Sequence, residues 1–309
     1  MDLLSINPVL LVTALMVAST PILLAAIGEL VVEKSGVLNL GVEGMMITGA
    51  ICGFIIAVQT GSPTLGFLCA AIGGAALSLI FAVITLYFLS NQVATGLALT
   101  LFGLGLSSLL AEGYREERSP SIAKLDFGPL SDIPAIGQMF FSHDAVVYLS
   151  LLLVIAVWAF LTFTRSGLIL RACGENPDAA HALGYNVKLV RMAAIAFGGA
   201  CAGVGGAYIS MVRISVWTDD ITAGAGWIAL AMVVFGAWRP GLVLLGAYLF
   251  GGVSAGQFRL QAIEVPIPVQ YLSMSPYIVT ILVLVLISAG RSRAMGAPAA
   301  LGQTFHASR

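Results

Sequence analysis

Long apolar runs recur from one end of this 309-residue chain to the other. Nine of them, at about 9–31, 36–58, 64–89, 93–111, 144–164, 192–212, 221–238, 240–257 and 272–290, approach the ~20 residues that a helix needs to cross ~30 Å of hydrocarbon. Charged residues make up 9% of the sequence and hydrophobic ones 59%, whereas a soluble domain carries roughly 25% charged residues. So little polar surface would not keep a chain of this size dispersed in water. The pattern predicts an all-α polytopic membrane protein of about nine transmembrane helices, with eight and ten as bounds. The count is least fixed around 221–257, where Trp238-Arg239-Pro240-Gly241 interrupts a run that could be one kinked or re-entrant unit. No internal repeat divides the chain, so residues 1–309 read as a single transmembrane domain.

Basic residues orient it. Arg165, Arg171, Lys188 and Arg191 follow the fifth run, and Arg291, Arg293 and Arg309 follow the last. The positive-inside rule places both groups in the cytoplasm and, with nine crossings, the N-terminus outside. The loop 112–143, with charges of both signs and several prolines, then faces the extracytoplasmic side. No basic segment precedes the first run, so a cleaved signal peptide is not expected.

Several chemistries have no motif to carry them. No GxxxxGK[ST] loop, HExxH or GxSxG occurs, so neither a P-loop ATP site nor a hydrolytic or redox centre is expected. The four cysteines form no CxxC pair, which gives no reason to expect a zinc site or a disulfide framework. No basic patch suits nucleic acid.

The most polar interruption, 165–191, contains a fully punctuated short helix. Gly174 and Glu175 lead to Asn176, which can N-cap, and to Pro177, which suits the first helical position. Asp178 favours the positive end of the helix dipole, and Gly184 suits the left-handed C′ position. Ala179, Ala180, Ala182 and Leu183 would be its exposed side chains, small enough for a knob that enters a partner's cleft. An ordinary linker between two helices is the alternative.

This segment resembles the cytoplasmic coupling region of ABC-transporter permeases of the ribose/branched-chain-amino-acid type, and is most similar to those of nucleoside and simple-sugar uptake systems. Three further segments carry the resemblance: GELVVEKSGVLNLGVEGMM from Gly28 to Met46, GAGWIALA from Gly224 to Ala231 with FGAWRP from Phe235 to Pro240, and APAALG from Ala297 to Gly302. The loop 113–143 does not take part. The resemblance implies a type II importer with a second permease subunit, similar or identical, a cytoplasmic ABC ATPase and an extracytoplasmic substrate-binding protein. This chain would bind no cofactor; ATP and Mg would be used by the ATPase. Arg171, Gly174, Glu175, Asn176, Pro177, Asp178, Ala179, Ala180, Leu183 and Gly184 would form the ATPase-coupling contact. The implied function is permeation of nucleosides or related purines across a bacterial inner membrane. A simple sugar or a branched-chain amino acid on the same fold is the alternative.

Candidates for the substrate pathway are few. Asn39 and Glu43 stand four apart in the expected second helix and would share one face. A carboxylate deep in a bilayer must face protein or a wet cavity. Glu43 could bond backbone near Gly36, Gly41 and Gly44, pair with a cation, or line the path; the structural role is preferred. Glu29 is expected at an interface. Gln92 and Thr95 could bond sugar hydroxyls or a base edge, while Asn91 reads as a cap. Phe102 and Trp227 could stack on a base, although core packing is the commoner role. Trp217, Asp219 and Asp220 read as a belt tryptophan and N-capping aspartates. An ion-coupled secondary transporter would need ionisable residues deep in several spans, and Glu43 alone is a fair candidate.

Overall fold

The computed structural model describes residues 8–131, 133–134, 136–262, 268–289 and 296–306. Arg291, Arg293 and Arg309, used above for orientation, lie outside them. The helices are α1 (Pro8–Lys34), α2 (Val42–Thr60), α3 (Pro63–Leu86), α4 (Gln92–Leu110), α5 (Ile136–Phe140), α6 (Ala145–Phe163), α7 (Arg165–Glu175), α8 (Pro177–Ala182), α9 (Val187–Tyr208), α10 (Ala225–Phe235), α11 (Pro240–Ala262) and α12 (Val269–Ala289). A π-helical turn, Ile209–Arg213, extends α9. Among the described residues there is no strand, only the isolated bridges Arg118↔Val216 and Lys124↔Asp144. Among the described residues, seven helices are long and apolar enough to cross a membrane: α1, α2, α3, α4, α6, α9 with its π turn, and α11. Ala225–Phe235 and Val269–Val283 are shorter apolar helices. Each of the nine apolar runs therefore contains a helix, but they are not nine equal spans.

α1, α2 and α9 are the central helices, and their contacts explain why glycine falls where it does. Without a hydrophobic drive between helices in lipid, backbones must come close to gain dispersion energy. A Cβ at Gly203 would run into the Ala70 carbonyl of α3, and one at Gly49 of α2 into Gly203 itself. The GxxxG pair Gly199–Gly203 thus seats α9 on α3. The second such pair does not work in this way: a Cβ at Gly252 would touch Leu15, and one at Gly256 would meet open space. Large apolar side chains on α3, α4, α6 and α11, such as Ile72, Leu101, Ile155 and Leu245, point outward, as a lipid-facing surface requires.

Two departures from helical geometry position the site. The second helix begins at Val42 and not at residue 36, because Ser35 to Gly41 is non-helical. Gly36, at φ 90°, lets the chain turn out of α1. The second break is 214–224, where Ser215, Asp220, Ala223 and Gly224 all have positive φ. α10 follows it, and its 11 residues rise only ~16 Å, about half of a ~30 Å hydrocarbon layer. Trp238, just after α10, donates through Nε1 to Glu33 near the end of α1. The first turn of α10 therefore lies about half a bilayer from that end. Non-helical backbone at such depth persists only where protein groups satisfy it.

Candidate functional site

The first region of interest is the bundle end that carries α7 and α8. Asn176 accepts the Ala179 amide at 2.9 Å, Pro177 opens α8, and Gly184 closes the turn at φ 89°. The capping expected from the sequence is present. Ala179, Ala182, Leu183 and Gly184 are exposed, Leu183 at 76%. Ala180 is not exposed. It is 2% accessible and packs with Cys173, Val187 and Phe305. The knob is therefore Ala179, Ala182 and Leu183, while Ala180 fastens α8 to the bundle. Arg165, Arg171 and Glu175 are exposed beside it. Gly174 is buried, and a Cβ there would strike the Lys34 carbonyl at the end of α1.

The segment 296–306 straps these elements together. Ala300 N–H donates to the Gly174 carbonyl (2.9 Å) and Gly302 N–H to the Gly36 carbonyl (3.2 Å). The Lys34 ammonium donates to the Gly296 carbonyl (2.9 Å), and the Phe305 ring meets His181 edge-on at 5.6 Å. At the centre is Arg191, 1% exposed and therefore not the loop charge that its sequence position suggests. Its guanidinium donates to the carbonyls of Ser35 (3.0 Å), Gln303 (3.1 Å) and Cys173 (3.4 Å). One side chain thus ties α1, α7 and the strap to α9. The Arg191 charge partly offsets burial at Cys173, but burial prevails and pushes that thiol up.

The second region is the meeting of α2 and α10. Glu43, 2% exposed, lies in the first turn of α2. Its Oε1 accepts from the Thr222 hydroxyl and the Gly224 amide (3.0 Å), and its Oε2 accepts from the Gly226 amide (2.6 Å). The amides belong to the N-terminus of α10. The carboxylate thus sits at the positive ends of two helix dipoles and receives three donors, which is how a charge is tolerated at this depth. Gly226 permits the approach, because a Cβ there would lie 2.6 Å from the Glu43 Cα. Glu43 also borders a cavity of ≈ 640 Å³ whose other walls include Asp220, Trp227, Phe250 and Tyr277.

Comparison with known proteins decides the family. The profile described as "branched-chain amino acid transport system / permease component" matches residues 11–287. The chain belongs to this permease family. It is 38% identical to a putative glucose ABC transporter permease protein of Haloferax volcanii, over 96% of this chain and 97% of that one. It is 35% identical to a guanosine ABC transporter permease protein of Bacillus subtilis, over 92% and 93% of the two chains. A nucleoside ABC transporter permease protein of Lactococcus lactis is 33% identical over 90% and 92%. The chain is accordingly a multi-pass ABC transporter permease, a transport component and not itself an enzyme.

Within this permease the expected pathway residues separate. Glu43 and Trp227 border one cavity. Asn39 is not on a helix with Glu43; it lies in the 35–41 break. There its Oδ1 accepts the Gly41 amide (3.0 Å) and its amide group donates to Glu29 (3.4 Å). Flanking Val37 and Leu38 had disguised the break as helix. Gln92 accepts the Leu38 amide at 2.8 Å, so it supports the same break and lies away from the Glu43 cavity. Thr95 returns its hydroxyl to the Asn91 carbonyl (2.8 Å), and Asn91 caps α4 as expected. Phe102 is 53% exposed, and Leu104 is the α4 side chain in the cavity wall. Glu29 is 1% exposed, and Glu33 is likewise buried. Trp217 is 3% exposed against Phe54 instead of standing in a belt. Asp219 pairs with Arg115 at 2.8 Å, and Gly224 takes the N-cap position of α10.

Proposed function

We propose that this permease is the membrane subunit of an ATP-driven importer for nucleosides or related purines, placed in the bacterial inner membrane with α7 and α8 in the cytoplasm. The observation that carries the proposal is α8: a capped, exposed helix on a chain without a nucleotide loop. Seated in a groove of a partner ATPase, which uses ATP and Mg, Leu183 and Ala179 receive motion. Ala180, Phe305 and Arg191 pass it to the ends of α1 and α9. A second permease subunit completes the channel, and an extracytoplasmic binding protein delivers the solute to the side bearing loop 112–143.

The guanosine and nucleoside relatives support the cargo, as do the Trp227, Phe250 and Tyr277 rings around a cavity of ≈ 640 Å³. A simple sugar is the second reading, favoured by the 38% identity to a putative glucose permease. Uptake by the reconstituted complex separates them. ATP-dependent accumulation of labelled guanosine or adenosine over glucose and leucine is expected. Glucose uptake alone would establish the second reading, and uptake by this chain without ATPase or ATP would refute both.

A further inference from the structure

The 214–224 break has a cavity on either side. Beyond the one that holds Glu43 lies another of ≈ 330 Å³, and the two share Ala223, Ile228, Phe250 and Tyr277 as common walls. The second cavity is lined by Arg213, Gln257 and Phe258. Arg213 ends the π turn of α9, a distortion that recurs at functional sites. Its side chain is exposed, and among the described residues it makes no hydrogen bond or ion pair. Of the carboxylates near the break, Asp219 holds Arg115, both oxygens of Glu43 accept from the segment 222–226, and Asp220 lines the other cavity and not the one that holds Arg213.

An arginine at a span end can simply anchor the helix by reaching lipid headgroups. The placement of Arg213 argues otherwise. It shares its cavity with Ala18 and Ile22 of α1, Gln257 of α11 and Tyr277 of α12, so it opens toward the bundle. An arginine fork offers parallel N–H donors in one plane and matches two adjacent coplanar acceptors. Guanine and hypoxanthine carry such a pair at O6 and N7; adenine has a donor in place of the first acceptor. A sugar has hydroxyls on tetrahedral carbons and no planar pair. Phe258, 56% exposed on the same cavity, offers a ring face to a flat base. We infer that Arg213, with Phe258 and Gln257, forms a subsite that selects 6-oxopurine nucleosides by their O6/N7 edge. This rests on the nucleoside reading above.

The test is uptake of labelled guanosine, adenosine and glucose by the assembled complex, with wild type, Arg213→Lys and Arg213→Gln. Co-purification of the subunits and ATPase activity check assembly. Lysine keeps the charge and loses the fork, so guanosine uptake at low concentration should fall about tenfold in Arg213→Lys, and adenosine uptake should change by less than about twofold. Equal losses for all three solutes, or no loss, would overturn the subsite and leave Arg213 as an anchor. Should neither variant assemble, competition in the wild-type complex decides: inosine must block guanosine uptake better than adenosine does, and equal potency would overturn the inference. A wild-type complex that carries no nucleoside defeats the nucleoside reading itself, which is a different result from a selective site that fails only in the variants.

Discussion

The two backbone breaks pose the same problem and solve it in different ways. Ser35 to Gly41 has positive φ only at Gly36 and is sewn to its surroundings from several sides. Gln92 takes the Leu38 amide, Thr100 donates to the Leu40 carbonyl, Arg191 holds the Ser35 carbonyl, and Gly302 holds that of Gly36. The 214–224 break places three non-glycine residues at positive φ, conformations that cost about 1–3 kcal/mol each. Its first half is tied to loop 112–143 through Arg115–Asp219 and the Ser119 amide on the Ser215 carbonyl. Its deep half hangs on the carboxylate of Glu43. Redundant bonding makes a strut, whereas a strained turn on a single clamp makes a part that can move. In the proposed importer the first break belongs to the transmission and the second to the gate.

The comparison is open to attack by mutation, and the largest effect is expected at the clamp. Glu43→Ala leaves a buried hydroxyl and two amides without an acceptor. Charged hydrogen bonds contribute about 1.5–3 kcal/mol each, so a loss on the order of 5 kcal/mol and abolished transport are expected. Thermal unfolding in detergent and hydrogen exchange confined to 214–226 would show it; Glu43→Gln, with one acceptor oxygen, should lie between. Arg191→Met comes next, at roughly 3–5 kcal/mol, because three carbonyls from three segments lose a charged donor. Release of the strap to proteolysis is the readout. Gln92→Ala should cost only about 1–3 kcal/mol, the unmet Leu38 amide, and leave the rest of 35–41 protected from exchange. If Gln92→Ala loosens that segment as far as Glu43→Ala loosens the other, the contrast between strut and clamp is wrong. Asn176→Ala should cost about 1 kcal/mol, confined to α8, and lower transport more than stability.

What the sequence disclosed follows the range of the forces involved. The α8 caps are local, three residues from acceptor to donor, and were legible at Asn176 and Gly184. The burial of Ala180 was not, because Phe305 covers it from far along the chain. Glu43 was readable as a carboxylate in need of donors, but those donors come from 222–226, across 179 or more positions. Gly36 and Gly41 marked the break that displaced Asn39, yet Val37, Leu38 and Leu40 made the run look like continuous helix. Arg191 reads as one more loop charge until the three carbonyls around it are known.

Cysteine crosslinking at α8 tests the central claim, that ATP-driven motion enters through its exposed face. Cys173, the cysteine nearest in the chain, is fully buried with its thiol pushed up by burial, and does not compete. In the assembled transporter, Leu183→Cys and Ala179→Cys should crosslink to single cysteines in the ATPase groove, with yields that change on ATP binding, while Ala180→Cys should not. No crosslink from Leu183 or Ala179, or an equal crosslink from Ala180, would contradict the account.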